Sequence, residues 1–150
     1  MYRKMLVPLD TSDFAECVLE HVKEISTTRE IPEVVLLSAI EPANSQTFAY
    51  MGPERIKESE ERAVEGALEY LGRIKASLSL EQSKVSTVAM MGPAADVILN
   101  YAGDNGVDII ILSSHGRSGV GRVLMGSTAD KILRQSMVPV FLVPTLSCRT

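Results

Sequence analysis

The sequence predicts a doubly wound α/β domain, an open parallel five-stranded sheet with helices on both faces. Three observations point there. Short runs of large aliphatic residues, clearest at Ile109–Leu112, have the composition of strands buried on both faces of a parallel sheet. Longer segments between them place apolar residues at helical spacing. The two patterns alternate through the chain, five strands and four helices, as right-handed crossovers in a parallel sheet require. A chain of 150 residues suffices for one domain with a full core and is too short for two, so a single domain is expected to span 1–150.

Met5–Leu9 is the first strand, stopped by Pro8-Leu9-Asp10 and followed by Thr11, Ser12 and Asp13, residue types that cap helices. Asp10 thus stands at a strand's carboxyl end. Phe14, Val18, Val22 and Ile25 then share one helical stripe, with Glu16, Glu20, Lys23 and Glu24 on the other faces. His21, beside that stripe, reads as structural. After Pro32, Val34–Leu37 forms the second strand, running through Ser38, Ala39 and Ile40 to Glu41-Pro42. Residues 41–53 lack a regular period yet carry Phe48, Tyr50 and Met51, which are expected to pack against the next helix; a flap over a ligand is the alternative. The helix from Glu54 to about Leu78 buries Val64, Ala67, Leu71, Ile74 and Leu78, while its opening turns, ERIKESEER, are a solvated face. Val85–Met90 is the third strand. Met91-Gly92-Pro93 then turns into a helix with Pro93 near its first position, burying Ala94, Val97, Ile98 and Tyr101, with Gly103 and Gly106 as candidate ends. Ile109–Leu112 is the fourth strand and Ser127–Met137 a helix. Val138–Val143 is the last strand, placed at or near a sheet edge by Pro139 and Pro144.

The chemistry concentrates between Asp108 and Leu133, DIIILSSHGRSGVGRVLMGSTADKIL. A buried strand ends at Ser113–Gly116, glycines interrupt the chain at 116, 119, 121 and 126, and a helix opens at Ser127. Glycines let backbone N–H groups approach a ligand closely, and a helix amino terminus offers unpaired N–H groups with partial positive charge, so this junction favours phosphate. Ser127 and Thr128 add hydroxyls. The commoner loops are excluded: no lysine lies between Asp108 and Asp130 to make a Walker loop, and GxGxxG begun at Gly119 and Gly121 meets Leu124. Ser118 is no nucleophile elbow, because Val120 stands where that motif needs glycine.

This stretch resembles the universal stress protein family, whose nucleotide-binding members carry G-x2-G-x9-G-S/T here. Gly116, nine intervening residues, Gly126 and Ser127 fit the last three positions, and Ser113 replaces the first glycine. The segments MLVPLD, VVLLSAIEP, MGPAADVIL and VPVFLVP are also similar to that family, so the resemblance covers the whole chain. It implies strand order 3-2-1-4-5, with the first and fourth strands flanking the switch point where such sheets bind ligands.

The resemblance further implies ATP or another adenine nucleotide in that cleft, with magnesium or manganese shared among phosphate oxygens, since no metal-ligand cluster is visible. Asp10 would contact the ribose or adenosine end, beside Pro8 and Leu9, and the Ala39 backbone would face adenine. Gly116, Gly126 and Ser127 would hold phosphates, joined by Ser113, His115, Arg117, Gly119 and Thr128. A carboxylate suits ribose hydroxyls because it only accepts hydrogen bonds. Val140, Phe141, Leu142 and Val143 form a hydrophobic edge segment, which invites another strand; the resemblance implies antiparallel pairing of two copies into a homodimer.

Composition narrows the rest. Fifteen basic against 19 acidic residues, a net charge of −4, and scattered cations give no nucleic-acid surface. Cys17, Cys148 and two histidines indicate neither a zinc site nor a disulfide framework, which fits a reducing cytoplasm. The chain enters a strand within four residues and holds no long apolar run, so neither signal peptide nor membrane span is expected. Three readings follow, in order: a nucleotide-binding stress-response regulator; a dimeric interaction protein of the same fold without nucleotide, which Ser113 keeps open; and a slow ATPase. His115 has no identifiable nucleophile or partner carboxylate, so no catalytic residue is assigned.

Overall fold

The computed structural model describes residues 1–115 and 125–145, with Phe14, Ser45, Thr47 and Phe48 described in backbone only. Strands β1 (Lys4–Pro8), β2 (Glu33–Ile40), β3 (Lys84–Met91), β4 (Ile109–Ser113) and β5 (Val140–Val143) form one parallel sheet in the order β3-β2-β1-β4-β5. Strand side chains alternate between faces, and each face has its own core. Met5, Val7, Leu36, Ile109 and Ile111 pack with Val18, Val22, Leu71 and Ile74, from helices α1 (Asp13–Glu16), α2 (Leu19–Thr28) and α4 (Pro53–Leu78) and the α1–α2 turn. Leu6, Val35, Leu37, Ile110 and Leu112 pack on the opposite side with Val97, Ile98, Ala129 and Ile132 of α5 (Ala94–Asp104) and α6 (Ser127–Gln135). β4 is buried along its whole length, as its unbroken aliphatic run required.

Because the crossovers before β3 cover one face and those after it the other, the connections leaving β1 and β4 diverge, and this divergence opens a crevice at their carboxyl ends. The amino ends are tied instead. The Arg3 and Lys4 amides donate to Asp108 Oδ2 at 2.7 and 2.9 Å, and the Asp108 amide donates to the Lys4 carbonyl at 2.9 Å. Pairing continues through Met5↔Ile109 and Leu6↔Ile110, whereas β1 stays paired with β2 as far as Pro8↔Leu37.

Several local expectations are corrected. The first helix is two pieces: Ser12 caps α1 by accepting from the Ala15 amide at 3.1 Å, and the Val18 amide donates to Ala15, three residues back, before α2 restarts at Leu19. That tight turn leaves Val18 and Val22 fully buried, so the apolar stripe survives a break that periodicity does not reveal. The irregular stretch holds a further helix, α3 (Ser45–Tyr50), six residues long and too short to display a period. Tyr50 is 91% exposed and so is not covered by the following helix. Gly103 lies inside α5, and Gly106, at φ 64°, is the left-handed residue that follows its end. Tyr101 is half-buried. Cys17 is disulfide-bonded, against the expectation of no disulfide; two cysteines far apart in sequence carry no spacing signal, and Cys148 lies outside the described residues. No helix among the described residues is long and apolar enough to cross a membrane.

Candidate functional site

The crevice is a cavity of about 750 Å³, within the size range of small-molecule sites. Its floor is the ends of three strands: Pro8 at the end of β1 with Leu9 and Asp10 beyond it, Ala39 and Ile40 of β2, and Leu112, Ser113 and Ser114 at the end of β4. Gly126, Ser127 and Thr128 bring the amino terminus of α6 to one side. Eight residues expected from the sequence therefore meet here: Pro8, Leu9, Asp10, Ala39, Ser113, Gly126, Ser127 and Thr128. His115 is not among the residues lining the cavity, and Gly116, Arg117 and Gly119 lie outside the described residues.

Asp10 is held by its own turn. Its Oδ1 accepts from the Ser12 amide at 3.0 Å and the Ser12 hydroxyl at 2.5 Å, while Ser12 caps α1, so the cap is Ser12 and Asp10 orients it. Ser38, which sequence reasoning passed over, fixes the strand end carrying Asp10: buried, it donates to the Leu9 carbonyl at 2.7 Å, while the Leu9 amide donates to Leu37 at 2.8 Å. A polar residue closing the aliphatic run VVLL was its signal.

Across the crevice, Ser114 closes the neck of the glycine-rich loop. Its carbonyl accepts the Gly126 amide at 2.7 Å and its amide donates to Val143 at 2.9 Å. A Cβ on Gly126 would lie 3.3 Å from the Ser114 carbonyl oxygen and 3.7 Å from His115 Cα, so the chains pass at a distance suited to glycine. The Ser113 hydroxyl donates to the His115 carbonyl at 2.7 Å, which gives the side chain replacing the family's first glycine a partner within the neck.

The remaining wall is small and apolar. Ala63, Gly66 and Ala67 of α4, one face at spacings of three and four, stand opposite Ala94 and Ile98 of α5. That spacing was legible in the sequence, but nothing there said that the face turns to a cavity. Behind it, Tyr70 donates to Glu16 Oε1 at 3.2 Å; burial, and then the Glu16 charge, push its pKa above the usual 10.0, so the phenol stays a donor.

The charge of the lining is telling. Asp10 and Glu41 are its ionisable side chains, and no lysine or arginine lines it among the described residues. No group of His, Cys, Asp or Glu suited to a metal occurs among them either. Among the described residues, an anion would therefore be met by backbone amides, by the first turn of α6 with its orphan N–H groups, and by hydroxyls.

On the predicted dimer edge, Val143 is 1% exposed and belongs to the core, so only its backbone could join a partner strand. Phe141 is 40% exposed, with its ring centroid 5.7 Å from that of His21.

Comparison with known proteins places this architecture. The model of the universal stress protein family matches residues 1–144. A universal stress protein of Methanocaldococcus jannaschii, MJ0577, is 32% identical, with 95% of each chain covered. The solved structure of MJ0577 superposes with a TM-score of 0.82 at 33% identity over 96% of both chains. A universal stress protein A homolog of Coxiella burnetii is 33% identical over 95% of this chain and 94% of its own. Two more distant structures share the fold and are complexes: a universal stress protein with cAMP, at 19% identity, TM-score 0.62 and 96% and 98% coverage, and one from Archaeoglobus fulgidus with dAMP, at 20%, 0.58 and 94% and 97%. From its amino-terminal strand to the end of its fifth, the chain belongs to the universal stress protein family.

Proposed function

We propose that the protein binds an adenine nucleotide, ATP foremost, in the crevice between β1 and β4, and acts as a homodimeric stress-response regulator whose nucleotide state sets its conformation or partner. The observation that carries this reading is the meeting of Asp10 and Ala39 at one end of a 750 Å³ cavity with Gly126, Ser127 and Thr128 at the other. Adenine fits the small apolar wall of Ala39, Ala63, Gly66 and Ala67, ribose the Asp10 end, and phosphate the α6 amino terminus. Support also comes from the adenine nucleotides bound by the two more distant family members. With Asp10 and Glu41 adding negative charge, a triphosphate needs a divalent cation on its own oxygens, magnesium or manganese.

Calorimetry with ATP and magnesium tests the reading. The wild type should bind; Gly126→Val should lose most affinity, because the neck leaves little room for a branched side chain beside the Ser114 carbonyl. Ser127→Ala removes one hydroxyl and should cost only about 0.5–2 kcal/mol. Absence of binding at millimolar nucleotide, in the wild type and in Ser113→Gly alike, would discard the nucleotide reading.

Ser113 favours a second reading, a dimeric interaction protein of this fold that has lost its ligand. Binding absent in the wild type and recovered in Ser113→Gly would establish it.

A further inference from the structure

Thr145 lies one residue beyond Pro144, after the end of β5, and does not line the crevice, yet it is wired to the neck of the loop. Its amide donates to Ser114 Oγ at 3.1 Å, and its hydroxyl lies 3.2 Å from His115 Nδ1. The same Nδ1 lies 3.1 Å from Ser114 Oγ. Ser114, 4% exposed, is thus bonded through its amide to Val143, through its carbonyl to Gly126, and through its hydroxyl to Thr145 and His115. The backbone that leaves β4 and the backbone that enters α6 are both held by this one residue, and Thr145 and His115 fix its side chain.

We propose that Thr145 is a positioning residue for the phosphate end of the site: through His115 and Ser114 it sets where Gly126 and the α6 amino terminus stand relative to the end of β4. The inference rests on the nucleotide reading above and adds a determinant outside the cavity. The geometry makes the effect local. Asp10 is held by Ser12 and by the Ser38 bond to Leu9, and Ala39 by its pairing with Met90 of β3, none of which involves the Thr145 side chain. Losing the hydroxyl should therefore loosen the phosphate end and leave the nucleoside end in place.

Calorimetry with magnesium, using ATP and adenosine separately, tests this on the wild type, Thr145→Val and Thr145→Ser. Valine keeps the shape of threonine without the hydroxyl; serine keeps the hydroxyl. Thr145→Val should weaken ATP by about 3- to 10-fold, the range for one lost hydrogen bond, with adenosine unchanged and Thr145→Ser close to wild type. The proposal is overturned if Thr145→Val binds ATP like the wild type, if it loses ATP and adenosine in parallel, or if serine fails to rescue. A wild type that binds adenosine as tightly as ATP overturns it too, while leaving a nucleoside site. A wild type that binds neither ligand refutes the nucleotide reading itself, and this inference with it.

Discussion

Gly92 and Gly103 bracket most of α5 and should respond to the same substitution with opposite sign. Gly92 precedes the helix at φ 140°, a conformation open to glycine and strained for any other residue, and a Cβ there would lie 2.9 Å from Val97 Cγ2. Val97 is 7% exposed and β-branched, so it has little freedom to swing aside. Backbone strain contributes about 1–3 kcal/mol and overpacking about 1–3 kcal/mol, offset by about 0.4–1 kcal/mol from a stiffer unfolded chain. Gly92→Ala should therefore destabilise by roughly 2–4 kcal/mol, lowering Tm by about 5–15 °C in a domain of this size. Gly103 is exposed inside the helix with nothing within 4 Å of an added Cβ, so Gly103→Ala should stabilise by about 0.5–1 kcal/mol. Urea unfolding followed by far-ultraviolet circular dichroism measures both. The double substitution Gly92→Ala, Val97→Ala removes the contact and keeps the backbone strain, so its coupling energy separates the two contributions. A Gly92→Ala protein within about 0.5 kcal/mol of wild type, the range of an inert surface change, would refute the reasoning.

Asp108, its carboxyl held below the usual 3.8 by the Arg3 and Lys4 amides, stabilises the fold above its unfolded pKa and loses that effect as pH falls through the lower folded value. Asp108→Ala should cost about 0.5–1.5 kcal/mol at neutral pH and flatten the acid limb of a stability–pH curve; an unchanged limb contradicts the tie between the strand ends. For Tyr70 the sign reverses: burial and Glu16 raise its pKa, so its contribution is complete below pH 10.0 and is lost as pH climbs through the folded value. Tyr70→Phe should lose about 0.5–1.5 kcal/mol at neutral pH and denature less steeply in alkali, read by the same unfolding curves. For the proposed dimer, light scattering at micromolar concentration should show a concentration-dependent mass that Phe141→Lys shifts toward monomer, and a constant monomer mass would end the idea. Turnover of ATP should stay at slow background; sustained hydrolysis near the enzyme median of roughly 10 per second would put catalysis ahead of binding.

What the sequence determined was local. Ile109–Leu112 had to be a strand buried on both faces because four adjacent aliphatics satisfy neither a half-exposed strand nor a one-sided helix. Pro139 and Pro144 marked β5 as an edge by removing ladder donors, and the order β3-β2-β1-β4-β5 puts it there. Gly126 and Ser127 announced a loop meeting a helix amino terminus, and α6 begins at that serine. Such features follow from a few neighbours along the chain, whose spacing alone decides which backbone conformation buries apolar surface and leaves polar groups satisfied.

Tertiary structure decided the rest. That Ala63, Gly66 and Ala67 face a cavity instead of a core depends on where α4 docks, which is set by Leu71 and Ile74 together with their partners on the sheet and not by the spacing within the helix alone. Ser38 reaches Leu9 across 29 positions, Thr145 reaches Ser114 across 31, and Asp108 holds Arg3 across 105. Each of these bonds exists only once the strands are in register, because a hydrogen bond requires its atoms to meet within a few tenths of an ångström, and sheet pairing, not sequence proximity, brings them there.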